Sequence, residues 1–251
     1  MTLWRRQRPS LIYQSLGETT MNNKMPPGQI ARKDFPRFGL TPYAERFPRE
    51  GTTAELQLAG DAVVEAAAPL TLDGLPRVEQ CSDFHCVTTW SCLQLAWGGV
   101  RFADFYRERV VPRLRDGATP MWVVLRGHDG YRTLMPLGDL LAGDVLLADR
   151  LEGVPLSLDH GAPWRLIAPS HYGYKSVKHL ARLELWTHRP KLRAAALAFM
   201  DHPRARVAFE ERGQWIPGWV LRWLYRPLID KTVLLFRRAA KAHSEKQRPV
   251  G

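Results

Sequence analysis

The sequence predicts an α+β fold from two patterns. Short apolar runs separated by turn residues fill its middle, and a helical period of about 3.6 residues takes over beyond Pro190. A third observation concerns charge. Of the formal +11, residues 1–50 hold nine Lys and Arg against four Asp and Glu, residues 51–201 hold sixteen against seventeen, and residues 202–251 hold eleven against four. A neutral centre therefore stands between two basic ends, which read as solvated termini or as contacts for an acidic partner or anionic lipid; nucleic acid is the less expected partner.

Residues 1–34 have no sustained hydrophobic periodicity and are broken by Pro9, Pro26, Pro27 and Gly28, so a flexible basic lead-in is expected there. The main domain is expected over residues 35–189. It opens with a short strand at 54–58 and a short helix at 73–78, followed by helices at 91–97 and 102–110. The apolar run 121–125, the turn signal His128-Asp129-Gly130 and the run 131–135 predict a hairpin. A helix at 137–141 and strands at 144–148, 156–158, 165–168 and 180–186 complete it. Residues 190–251 form a basic helical appendage, with helices expected at 192–200, 204–212, 217–225 and 228–243.

No run of about 18 uncharged apolar residues occurs, so no spanning helix is expected. Arg5 and Arg6 suggest a twin-arginine signal, but no apolar stretch follows them, and the expectation is a cytoplasmic protein. Three cysteines at positions 81, 86 and 92 make neither a disulfide framework nor a zinc ribbon, consistent with reduced thiols.

Three segments carry candidate chemistry: Asp83-Phe84-His85-Cys86-Val87-Thr88-Thr89-Trp90-Ser91, Asp159-His160-Gly161-Ala162-Pro163-Trp164-Arg165 and Tyr172-Gly173-Tyr174-Lys175-Ser176-Val177-Lys178. Each alone has several readings. Cys86 is a core residue, a nucleophile or a metal ligand. His85, its neighbour on a strand, points to the opposite face and is poorly placed to activate it. The third segment offers a turn, a hydroxyl and two cations, a cradle for phosphate or an ordinary solvated loop. His128 and Asp129, on the hairpin turn, are candidates to line a substrate pocket.

Together and in this order, the segments resemble the molybdopterin-binding domain of sulfite oxidases and of the related bacterial protein-methionine-sulfoxide reductase catalytic subunit. The resemblance covers about residues 35–187 and implies a sulfite oxidase-type domain with mixed sheets. It implies a molybdenum-molybdopterin cofactor, with Cys86 as the protein's thiolate ligand to the metal. It further implies that His160, Arg165, Ser176, Val177 and Lys178 hold the pterin and its phosphate, the last three through backbone and ammonium. A soft thiolate suits a metal already held by dithiolene sulfurs, and guanidinium plus ammonium suit a phosphate. Val87, Thr88 and Thr89 follow the cysteine where sulfite oxidases place arginines, so an oxo-compound such as a sulfoxide or N-oxide is the expected substrate rather than sulfite.

The implied reaction is oxygen-atom transfer with a two-electron change at the metal. The chain shows no haem or iron–sulfur ligand pattern, so a separate redox partner is expected. Trp215, Trp219 and Trp223, four apart, either pack back onto the domain or meet that partner or a membrane surface. A non-catalytic binding protein on the same fold is the alternative. The molybdenum reading requires Cys86, Arg165 and Lys178 to face one cavity.

Overall fold

Ten strands form two sheets that share one core, and a long helical tail closes over one end. The computed structural model describes residues 25–49, 52–64, 68–192, 195 and 197–246. Strands β1 (Ile30–Arg32), β3 (Arg77–His85), β4 (Trp90–Arg101), β7 (Leu146–Leu151), β8 (Val154–Pro155) and β9 (Arg165–Ile167) make the first sheet. Strands β2 (Gln57–Ala59), β5 (Trp122–Gly127), β6 (Arg132–Pro136) and β10 (Leu180–Trp186) make the second, in the order β2-β10-β5-β6. Pairing is antiparallel except where β1 joins β4 and β2 joins β10.

The centre of the first sheet is β4. One edge pairs with β3 along its length, and the other is shared between β1 at Trp90–Cys92 and β7 at Trp97–Arg101. Only Gln94 and Ala96 of its twelve residues are exposed. Burial on both faces removes the polar alternation of a half-buried strand. For that reason the helix expected at 91–97 is a strand. The helix expected at 73–78 is likewise corrected to a turn leading into β3, and β1 lies inside the lead-in expected to lack structure. Gly99 lets the backbones meet closely, since a Cβ there would sit 2.1 Å from the carbonyl oxygen of Leu147.

Between the sheets lies the main core, including Val100, Phe102, Phe105, Leu125, Leu147, Trp164 and Leu183. A second cluster covers the other face of the first sheet and includes Cys86, Trp90, Leu95, Trp97 and Ile167. The short helix α1 (Phe102–Phe105) runs into a π turn over Tyr106–Val110, close to the helix expected at 102–110; α2 (Leu137–Leu140) agrees with 137–141. The strand expected at 156–158 falls instead at β8, and Leu158–His160 is a 3₁₀ turn.

In the tail, α3 (Gly218–Tyr225) and α4 (Ile229–Lys246) stand close to where they are expected. The helix expected at 204–212 is a loop. Ala205 and Glu210 there have φ of 57° and 53°, and Arg206 pairs with Glu211 across the turn instead of continuing a helix. Of the helix expected at 192–200 only a 3₁₀ turn at Ala198–Met200 is found among the described residues; 193, 194 and 196 lie outside them. Helix α4 docks through Phe236, whose ring stacks on Phe38 at 6.4 Å and lies beneath the Arg37 guanidinium at 5.1 Å.

Candidate active site and cofactor pocket

Cys86 sits where β3 turns into β4. Its amide donates to Trp90 O at 2.8 Å and its carbonyl accepts from Thr89 N at 3.1 Å, which closes a tight loop through Thr89 at φ 86°. A second tie reaches the same carbonyl: Gln29 Nε2 donates to it at 3.1 Å, while Gln29 Oε1 accepts from Ser91 Oγ at 3.0 Å. Ser91 in turn contacts His85 Nδ1 at 2.7 Å. His85 therefore serves this hydrogen-bond chain, as its position on the opposite strand face requires. The Sγ atom itself lies 3.1 Å from Thr88 Oγ1.

Arg212 braces the loop from the tail. Its guanidinium is fully buried, donates to Val87 O at 2.5 Å and to Pro27 O at 2.9 Å, and pairs with Glu210 at 3.1 Å. Burial pushes the Cys86 thiol pKa up, while Thr88, Arg212 and Lys178 pull it back down. The thiol is thus held neutral by its surroundings and favoured as thiolate only when a cation offsets the burial.

The cavity beside Cys86 has a volume of about 220 Å³. Cations line one side of it. Arg165, at 1% exposure, donates to His160 O at 2.9 Å and Ser176 O at 3.1 Å, yet its Nε is buried without a partner. Burial alone lowers its pKa to about 9, because no carboxylate stands by to offset it. Lys178 Nζ donates to Asp159 O at 2.8 Å, and burial followed by repulsion from Arg165 and Arg37 brings its pKa down to about 7. Arg37 reaches the same cavity, tied to Ala44 O at 2.6 Å and to Asp159 at 3.7 Å.

Two small residues shape this side. Gly161, in the left-handed region at φ 108°, leaves no room for a side chain, since an added Cβ would fall 3.1 Å from the Arg165 and Lys178 Cβ atoms. At Gly173 an added Cβ would fall 2.2 Å from the Phe84 ring. The opposite side is apolar and comes from the tail: Met200, Tyr225, Leu228, Thr232 and Phe236.

Of the residues singled out in the sequence, Cys86, Asp129, Arg165, Ser176, Val177 and Lys178 line this one cavity. Asp129 has its pKa raised by burial and accepts from Tyr131 N at 2.9 Å. His160 does not line it. The ring stacks on Phe35 at 4.9 Å beside a neighbouring groove, its Nδ1 is buried without a partner, and burial with repulsion from Lys178 and Arg165 brings its pKa to about 4. His128 is exposed at the hairpin tip and also lies off the lining. The amides of Ser176 and Val177 are used within their own turn, by Gly173 O and Lys175 O. Those two amides are therefore occupied, and this side presents side chains: the two cations and the Ser176 hydroxyl, which accepts from Ala168 N at 3.2 Å and keeps its proton to donate.

Arg37, Arg212 and His179 were not singled out from the sequence. His179 lines the cavity, with Nδ1 donating to Ala162 O at 2.6 Å, and burial lowers its pKa to about 4. Its φ of 52° is the local feature that turns it inward.

Buried thiol, unmatched cations and orphaned polar atoms on one cavity define a class: an α+β domain that holds an anionic cofactor beside a cysteine. Over residues 46–193 the sequence matches the family model described as oxidoreductase molybdopterin binding domain, and the chain belongs to that family. The family binds the molybdopterin cofactor, and the protein is an oxidoreductase.

The uncharacterized oxidoreductase YuiH of Bacillus subtilis is 34% identical over 172 residues, 66% of this chain and 81% of that protein. Sulfite oxidase of Gallus gallus is 32% identical over 150 residues, 57% of this chain and 30% of its own length. The protein-methionine-sulfoxide reductase catalytic subunit MsrP of Xanthomonas campestris is 29% identical over 163 residues, 56% of this chain and 50% of its own. The chain thus spans half or less of the latter two. Among solved structures, the sulfane dehydrogenase SoxCD of Paracoccus pantotrophus matches with a TM-score of 0.45 and 20% identity, over 53% of this chain and 38% of that one.

The residues present fit the cofactor. On the cavity, Arg165 Nε is a buried donor without a partner, and the cation pair lacks a full set of counter-charges. A phosphate satisfies both deficits, and a thiol at the cavity wall suits a soft metal.

Proposed function

We propose that this enzyme transfers an oxygen atom from a small neutral oxo-compound, a sulfoxide or N-oxide, with electrons delivered by a separate redox partner. The observation that carries the reading is that Cys86, Arg165 and Lys178, from three distant segments, line one cavity whose other side is apolar. When bound, the molybdenum centre supplies the two-electron couple and the oxygen-exchanging position. Cys86 is its protein ligand. Arg165 and Lys178 bind the cofactor phosphate by charge-assisted hydrogen bonds, with Ser176 donating beside them and Val177 packing the turn. His160 supports that side from behind, through its carbonyl on Arg165.

The overall balance is R₂SO + 2e⁻ + 2H⁺ → R₂S + H₂O, so protons must be held near the substrate. Asp129 is suited to that, since it lines the cavity and burial raises its pKa above the ordinary carboxylate value. His128, exposed and outside the lining, has no such part. A neutral substrate is favoured over sulfite for two reasons. Val87 and Thr88, beside the thiol, carry no charge, and Arg212, the nearest tail cation, is committed to Glu210 and two carbonyls. The likeness to a relative named for protein-methionine-sulfoxide reduction points the same way. Three free thiols suit a reducing, cytoplasmic setting.

The test uses protein made in a host that synthesises the cofactor. Elemental analysis should find near-stoichiometric molybdenum, and reduced viologen should be oxidised on addition of methyl phenyl sulfoxide. Molybdenum-loaded protein that instead reduces ferricyanide with sulfite would overturn the substrate reading, and protein without molybdenum would overturn the cofactor assignment to these residues.

A further inference from the structure

Helix α3 shows its tryptophans to solvent. Trp215, Trp219 and Trp223 are 80%, 62% and 76% exposed, so the stripe does not pack back onto the domain, the first of the two readings open from the sequence. The buried side of α3 is formed by Leu221 and Tyr225 instead, which fix the helix to the domain. Leu224 and Leu228, at 48% and 49%, extend the apolar outer surface toward α4.

Exposed cations follow this surface along the tail. Arg226, Lys231, Arg238 and Lys241 are exposed, and Arg226, Lys231 and Arg238 have no ion-pair partner among the described residues. Asp230 and Glu245 are the acidic exceptions, in a tail segment whose residues 202–251 hold eleven Lys and Arg against four Asp and Glu.

We infer that α3, with Trp215 before it and the start of α4 after it, is a docking face for an anionic lipid bilayer. Indole has an apolar body and one polar N–H, a combination that partitions to the headgroup boundary, and Lys or Arg around it adds attraction to anionic lipid. Trp219 and Trp223 project from the outer side of a helix whose other side is buried, so they meet a broad surface without needing a matching groove. Among the described residues no helix is long and apolar enough to cross a membrane, and the contact proposed is with its surface. The same segment also forms part of the cavity: Leu228 is half exposed and lines it together with Tyr225. Docking would therefore place the cavity rim beside the headgroups.

Flotation of the full chain with large unilamellar vesicles tests it. The protein should float with vesicles containing phosphatidylglycerol, remain behind with pure phosphatidylcholine, and release as salt is raised. A W219S/W223S double variant should lose at least about tenfold in partitioning. Because both indoles are exposed, its thermal midpoint and molybdenum content should stay at the wild-type values, which separates lost binding from lost fold. Bromine-labelled phosphatidylglycerol should quench wild-type tryptophan emission and leave the variant's largely unquenched. Equal flotation with neutral vesicles, or flotation that the double variant retains, overturns the proposal. So does a chain that stays in solution, including one whose α3 face binds a redox protein instead.

Discussion

The two sides of the cavity are held by different forces. The strand-built side places Cys86, Arg165 and Lys178 through backbone pairing and short turns, in a core where Arg165 is 1% exposed. The helical side depends on a few side-chain contacts, chiefly Phe236 against Phe38, Arg37 and Ala44. The first is polar, cationic and rigid; the second is apolar and rests on a small satellite cluster. Under the proposed function, such a division would let one side fix the cofactor while the other sets which substrate enters, and would let the second be altered without disturbing the first.

The sharpest test of this division is Cys86→Ser, which should reduce dye-linked activity by more than about a hundredfold, beyond the 10–100-fold typical of residues that merely support a ligand. Circular dichroism should be unchanged. Arg165→Met should come next, with an approximately 10–100-fold loss of cofactor retention, read as molybdenum per protein after gel filtration. Full retention would show that the strand-built side does not grip the phosphate.

Phe236→Ala addresses the helical side. It should cost about 3 kcal/mol in urea denaturation, the low end for a buried aromatic ring, while molybdenum stays bound. Loss of molybdenum along with stability would show that the two sides are one unit.

A smaller effect is expected from pH. His160 and His179 have folded pKa values of about 4 against the ordinary 6.5, so between those values the unfolded chain binds more protons than the folded one. Their contribution to stability is complete above pH 6.5 and is lost as pH falls toward 4. His160→Phe, which keeps a ring against Phe35, should flatten the urea midpoint over that range. The smallest effect should come from His128→Ala at the exposed tip, with activity within about twofold of wild type, as usual for surface changes away from a site.

The chemistry on the strand-built side was legible because it sits in short contiguous segments: Cys86 within one, Arg165 within another, Ser176 to Lys178 within a third. Hairpin β5–β6 and helices α3 and α4 were legible from turn residues and periodicity. What escaped was set by distant contact. Strand β4 is buried on both faces and offers no alternation, so its segment 91–97 reads as a helix. Arg37 and Arg212 look like ordinary surface cations in the sequence, and only the folded chain buries them beside the cavity. The inward turn of His179 depends on one positive φ, for which no glycine signals. His128 and Asp129 are neighbours, yet the hairpin turn sends only Asp129 toward the cavity.

Arg212 hydrogen-bonds across 125 residues to Val87 and across 185 to Pro27. Synthesis runs from the amino terminus, so the thiol loop is made well before the residue that steadies it. A chain cut before Arg212 would therefore carry the thiol loop without its brace.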